Sequence, residues 1–245
     1  NTFVFNSREE WLQWRRGGIG ASDAIVIANW AGLCSAAPWL KVGAINDLFF
    51  EKTGKGLEKK LNSSMEQGID NEEAVRGKVE SVTGFLMPEN RECDDNPRIK
   101  ASFDGVNFAS EIVEIKVPNA KVIALAKAGQ VVDYYLPQIA HQLMVMHGYP
   151  HRWTGNEKWY FAVYDVGQDN TILVPGTSRL LKDFAEKLLR AEQKFLLHWD
   201  QNNAPLGGLW WVDISAQLES LKVDLDQKQF MVETAKKKLI QIAQD

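Results

Sequence analysis

One stretch constrains this chain more than any other. It runs from Ile99 to Pro118 and reads I-K-A-S-F-D-G-V-N-F-A-S-E-I-V-E-I-K-V-P. Its apolar residues alternate with a period of two on either side of the turn formers Gly105 and Asn107, which predicts two β-strands joined by a tight connection. Successive side chains of a strand point to opposite faces, so Ile99, Ala101 and Phe103 share one face while Lys100, Ser102 and Asp104 share the other. On the second strand Val113, Ile115 and Val117 form the apolar face, leaving Ile112, Glu114 and Lys116 opposite. A hairpin would bring Asp104 close to Glu114 and Lys116, so that two carboxylates and an ammonium converge.

Such a group suits phosphodiester hydrolysis with a divalent ion. Carboxylate oxygens are hard ligands for Mg²⁺, with Mn²⁺ as a substitute, and Mg²⁺ keeps several of its waters. Asp104 and Glu114 are the candidate metal ligands, and Lys116 adds a point charge beside an attacking water. The plain alternative is a solvated hairpin whose Glu and Lys merely face water, because E-x-K on a strand is a common pattern.

The surrounding motifs favour the first reading. S-F-D-G followed by E-I-K resembles the core of the PD-(D/E)xK nucleases, in the setting of phage alkaline exonucleases of the lambda exonuclease or YqaJ type. Three further stretches agree in order and spacing: W-R-R-G-G-I-G-A-S-D-A (Trp14 to Ala24), E-Q-G-I-D-N-E-E-A (Glu66 to Ala74) and Y-L-P-Q-I-A-H-Q-L-M-V (Tyr135 to Val145). Together they cover roughly residues 8 to 165. The resemblance implies a restriction-endonuclease-like core and a Mg²⁺-dependent exonuclease. It would digest double-stranded DNA 5′ to 3′, release 5′ mononucleotides and leave 3′ overhangs. It also implies the backbone carbonyl of Ile115 as a further metal ligand, Glu72 as an added acidic group at the site and Gln138 as a helper. Arg15 and Ser22, with Arg16 beside them, would hold the terminal 5′ phosphate. A ring of three subunits and a single-strand annealing partner belong to the same expectation. One position departs from the pattern: the family's second glutamine is replaced by Ala140, and Gln142, one turn after Gln138, is the candidate substitute. An endonuclease on the same core and a DNA-binding or scaffold protein without catalysis remain as alternatives.

Several residues carry their own physical reading. Ser7 to Glu10 forms a capping box for a short helix with Trp11 and Trp14 on its inner face. The run Gly17-Gly18-Ile19-Gly20, with Ser22 as N-cap of the next helix, reads either as an anion cradle at a helix N-terminus or as an ordinary glycine turn. Val42, Ile45, Leu48 and Phe49 mark the core side of a helix that Gly54 ends. Met65, Ile69, Val75, Val79 and Val82 mark another that Gly84 ends, with Glu72 near the edge of its buried stripe and Glu73 facing solvent. Gln138 can donate to a phosphate oxygen or orient Lys116. W-Y-F-A-V-Y-D and N-T-I-L-V-P supply two more strands, and Ser178 caps a long helix through Phe195.

The predicted class is therefore α/β: a central mixed sheet of about five strands flanked by helices, with a C-terminal helical extension. Residues 1–205 would form the nuclease domain. Residues 206–245 carry a heptad seam from Leu218 to Ile242, suited to packing, self-association or partner docking. At 245 residues the chain can bury one substantial core. The formal net charge of −4 is unusual for a DNA binder, which normally shows a basic footprint, though bound cations would offset it. The two cysteines have no metal-ligand spacing and read as reduced thiols, the four histidines form no zinc motif, and no apolar run is long enough for a membrane span. A cytoplasmic location is expected.

Overall fold

The structure, a computed structural model, describes residues 2–56 and 63–205, with the helical backbone alone over 63–71. The predicted heptad seam, and the side chains of Met65 and Ile69, lie outside the described residues.

In chain order the elements are β1 (Thr2–Phe3), α1 (Arg8–Arg16), β2 (Ile19–Gly20), α2 (Ala21–Trp30), α3 (Ala44–Lys52) and α4 (Ser63–Thr83). There follow β3 (Met87–Cys93), β4 (Asn96–Val106), β5 (Ile112–Lys116), α5 (Ala120–Lys127) and α6 (Leu136–His147), then β6 (Lys158–Asp165), β7 (Asn170–Thr177) and α7 (Lys182–Asp200). The strands form one mixed sheet in the order β1-β3-β4-β5-β6-β7, with β2 added on β4. Five of these strands are long; β1 and β2 have two residues each. Strand β5 is antiparallel to β4 and parallel to β6, which requires the crossover through α5 and α6.

Period-two alternation divides the sheet between two cores. Ile112, Phe161 and Val163 join the larger cluster, with Ile99, Ala101 and Phe103 of β4 and Ile139, Leu143 and Met144 of α6. Val113, Ile115 and Ala162 face the smaller one, against Val75 and Val79 of α4. Both faces of β5 are thus covered, and Glu114 and Lys116 sit on the face that α6 covers.

The hairpin differs from the expected form in an instructive way. Gly105 is no turn residue: it stays in β4, paired with Val113, and the chain reverses instead around Asn107 to Glu111, with Ser110 at φ +59°. The pairing of β3 with β4 slips between Met87↔Val106 and Glu89↔Phe103. Phe103 and Val106, three positions apart, consequently share one core cluster, where a regular strand would place them on opposite faces. This is the signature of a β-bulge, and Asp104 and Gly105 lie within it. A Cβ at Gly105 would meet the Leu86 side chain at 3.2 Å, so a larger residue here would have to shift Leu86.

Other expectations shift locally. Helix α2 begins at Ala21 with Gly20 as its N-cap, not Ser22, because the Asp23 carboxylate takes the Gly20 N–H at 2.9 Å. The long helix begins at Lys182, after a 3₁₀ turn, since the Ser178 hydroxyl bonds to Glu157 and caps nothing. Val42 and Val82 are exposed, the first preceding α3 and the second in the last turn of α4, where Thr83 is the buried residue. The helix stops at Gly54 and Gly84 lie as expected, both at positive φ. No described helix is long and apolar enough to cross a membrane.

Candidate active site

Strand β4 is the frame of the site. Lys100 pairs with Glu92 of β3 and with Gly20 of β2, so β2 and β3 lie on opposite edges of β4. Val106 pairs with Met87 of β3 and with Ile112 of β5, so β5 lies on the same edge as β2. That edge is a fork, with β2 along one part, β5 along another, and Ala101 to Asp104 between them. The ladder from β4 to β5 consists of Gly105↔Val113 and Val106↔Ile112. Beyond it the Ile115 N–H turns to the Asp104 carboxylate at 2.7 Å, a side chain replacing the backbone partner of a regular sheet.

The expected convergence is present. Glu114 is 1% exposed and receives three donors: Lys116 and Gln138 (2.6 Å) on Oε1, and Gln142 (2.5 Å) on Oε2. Gln138 therefore holds Glu114 rather than Lys116. Gln142 is wholly buried and holds the other oxygen, while Ala140 packs in the large core on another side of the helix. At 100° per residue, positions 138 and 142 share a face of α6 that 140 does not. The Lys116 ammonium also lies 5.6 Å from the centre of the Tyr135 ring, within cation–π range.

Glu72 reaches the same neighbourhood through Arg76, which donates to Glu72 at 2.7 Å and to the Asp104 carbonyl at 2.6 Å. Arg76 was not foreseen; its only sequence signal is the i, i+4 spacing from Glu72. Glu73 is exposed, as expected.

The charges are unbalanced. Burial pushes the Asp104 carboxyl well above the usual range and the negative charges of Glu114 and Glu72 push it further, with Lys116 opposing. Burial raises Glu72 also, Arg76 opposing and Glu114 adding to the shift. For Lys116 burial acts downward, but Glu114 and Asp104 outweigh it and keep the ammonium protonated beyond its ordinary value. Crowded carboxylates that retain protons are sites where a divalent cation would replace them, and every donor here is a hard oxygen. Among the described residues no three His, Cys, Asp or Glu side chains form a ready-made ligand group. Asp104 and Glu114 could therefore supply only part of a shell, leaving the rest to a backbone carbonyl, water or substrate, as suits Mg²⁺.

The other arm of the fork carries the predicted cradle. Arg15 lies over the Trp11 ring at 5.2 Å and donates to the Ser22 hydroxyl at 2.5 Å. Ser22 is exposed at the second position of α2, and Arg16 is exposed at the end of α1. Beneath them Asp23 accepts from the buried Lys52 ammonium at 2.7 Å, with Arg15 at 3.7 Å. Burial opposes ionisation of Asp23, but Lys52 and Arg15 hold its carboxyl far below the ordinary range. Neither Asp23 nor Lys52 was singled out from sequence, since nothing local connects positions 23 and 52. Gly18 serves the strand as well as the cradle: a Cβ there would lie 2.3 Å from the Arg98 carbonyl of β4. Trp11 and Trp14 are half-buried, and their indole N–H groups donate to Ser102 and Glu92.

Fold and site together define an α/β protein whose mixed sheet forks around an acidic, lysine-bearing centre. The model of the YqaJ-like viral recombinase domain matches residues 10–157, and the chain belongs to that family. Among solved structures it is similar to an alkaline exonuclease, LHK-Exo, from Laribacter hongkongensis, at 18% identity and TM-score 0.57, the match covering 79% of this chain and 95% of that one. LHK-Exo in complex with dAMP aligns over the same shares at 18% identity and TM-score 0.59. At that identity the likeness speaks to the fold. Comparison with curated proteins gave no match. The resemblance read from four ordered motifs and the α/β class both hold.

Proposed function

We propose that the chain is a phage-type, Mg²⁺-dependent exodeoxyribonuclease that digests double-stranded DNA from 5′ ends, releasing 5′ mononucleotides and leaving 3′ overhangs. The observation that carries this reading is the gathering of Asp104, Glu114 and Lys116 at the fork, with excess negative charge that Lys116 does not cancel. Asp104, Glu114 and the Ile115 carbonyl would hold the metal, which when bound acidifies water and neutralises charge developing on phosphorus. Gln138 and Gln142 fix the Glu114 carboxylate in one orientation. Lys116, protonated at neutral and alkaline pH, orients the attacking water and meets developing negative charge rather than removing a proton. Glu72, steadied by Arg76, adds negative charge beside the metal ligands. Arg15 and Ser22, with Arg16 alongside, would receive the terminal phosphate at the α2 N-terminus, the guanidinium offering a charge-assisted bond.

Residues 1–205 would make up the nuclease domain and 206–245 a helical segment that serves assembly or docking. Ring assembly of three subunits and a single-strand annealing partner follow from family resemblance.

The test is a linear duplex labelled on each strand separately, with magnesium added or withheld, beside a closed circular duplex. Magnesium-dependent release of 5′ mononucleotides from the linear form alone is expected, with Arg15→Ala losing most preference for a phosphorylated 5′ end. Cutting of the circle would favour the endonuclease on the same core. No release under any metal would leave a DNA-binding or scaffold role.

A further inference from the structure

At 52% exposure Trp39 is the most exposed of the described tryptophans. Burying its ring would stabilise the chain, yet it stands open beside the site. Its inner side meets Tyr134 edge-on (5.3 Å, 86°) and Tyr135 at a tilt (5.7 Å, 35°). Tyr135 is the ring against which Lys116 rests, at 5.6 Å. Two aromatic steps thus separate the indole from the ammonium of the proposed cleavage centre, so the two lie no more than about 11 Å apart.

The indole is also held in place. Ser35, four residues before it, donates through its backbone N–H (2.8 Å) and its hydroxyl (2.5 Å) to Asp133, the residue that opens the turn bearing Tyr134 and Tyr135. Ala37 is buried, and the Leu40 N–H closes a turn onto its carbonyl at 2.9 Å. An aromatic plate fixed against two tyrosines, with more than half its surface open, is preorganised for another flat apolar ring.

We propose that Trp39 is a substrate-binding residue that stacks on a nucleobase near the 5′ end of the bound strand; this rests on the nuclease reading above. Stacking accepts any base, because every base has a π face, so the contact would grip the end without imposing sequence preference. It would keep the terminal nucleotides aligned while Lys116 and the carboxylates act on the adjoining link.

The experiment measures binding rather than cleavage, with calcium in place of magnesium. The probe is a 5′-phosphorylated linear duplex, either intact or lacking the base at one of the first few nucleotides in turn. Wild type should bind at least one abasic duplex about ten-fold or more weakly than the intact one. Trp39→Leu, which keeps apolar bulk without a π face, should bind intact and abasic duplexes alike, at the weaker affinity. Trp39→Phe should recover part of the difference and serves as the comparison if the leucine variant does not melt cooperatively. Wild type indifferent to every missing base, or a leucine variant as sensitive as wild type, would overturn the stacking role while leaving the nuclease reading intact. A chain that binds no duplex at all would defeat the nuclease reading itself.

Discussion

Truncating Lys116 to alanine removes the cation that Glu114 holds and that rests against Tyr135, while the Asp104–Ile115 and Glu114–glutamine bonds remain. Single-turnover cleavage should fall by about 10²–10³-fold, the range found for losing one preorganised donor, while affinity for duplex DNA changes little. Near-normal turnover would remove Lys116 from the mechanism. Asp104 gives a prediction of opposite sign for stability. Its carboxyl is raised above the unfolded value of about 3.9, so its contribution is favourable below that pH and is lost as pH rises through the folded value. Asp104→Asn can still accept from Ile115 and escapes this loss. Without divalent metal it should melt with wild type near pH 4 and increasingly above it as pH rises, by at least about 2 °C at pH 8. Melting curves that stay superimposed across this range would mean that the crowding is relieved in solution. At this scale alternation placed Asp104, Glu114 and Lys116 together, whereas Arg76 had only its i, i+4 spacing from Glu72 to mark it, and Asp23 and Lys52 could not be read, since they meet across two helices.

Helix α6 and strand β2 are the elements on which the two halves of the site depend. Gln142→Leu leaves a buried carboxylate oxygen without its donor; a stability loss of about 1–3 kcal/mol is expected by denaturant titration. Activity should fall roughly 10–100-fold because Glu114 is no longer held on both sides. A Gln142→Leu protein with unchanged kinetics would show that Gln138 suffices. Gly18→Ala forces the backbone just before β2 off the Arg98 carbonyl. It should cost about 1–3 kcal/mol and lower the preference for phosphorylated ends, which end-competition assays would read. Retention of both properties would mean that β2 yields without moving the cradle. Sequence located α6 and its glutamine face well, because Pro137 and Gly148 bracket a clear helical period. It missed β3, whose M-P-E-N-R-E-C carries a proline and charges that hide any alternation. It misread Gly105, because a glycine that permits a bulge and one that makes a turn look alike in a string of letters.

For the molecule as a whole, a net charge of −4 gives no general basic field, so on the proposed reading attraction for DNA would come locally, from cations at the acidic centre and from Arg15. Added Mg²⁺ should raise the melting temperature in proportion to its binding, and Asp104→Asn should abolish most of that rise. A thermal shift of equal size in both proteins would place the ion elsewhere. The overall class was legible because four motifs fall in order over elements that alternate strand and helix. The fork was not, because β2 is two residues long and pairs with a strand some eighty positions away.

That fork makes β4 a ruler. Strand β2, beside the proposed phosphate cradle, joins it at Ile99 and Lys100, β5 with the proposed catalytic residues joins it at Gly105 and Val106, and the interval between Lys100 and Gly105 is one covalent run spanning roughly 16 Å at ~3.3 Å per residue. Adding or deleting a residue among Ala101 to Asp104 would change the length of that gauge and turn Asp104 to the other face at once. On the proposed nuclease reading, the spacing between end-holding and cleavage would therefore be set by backbone geometry, not by a movable loop.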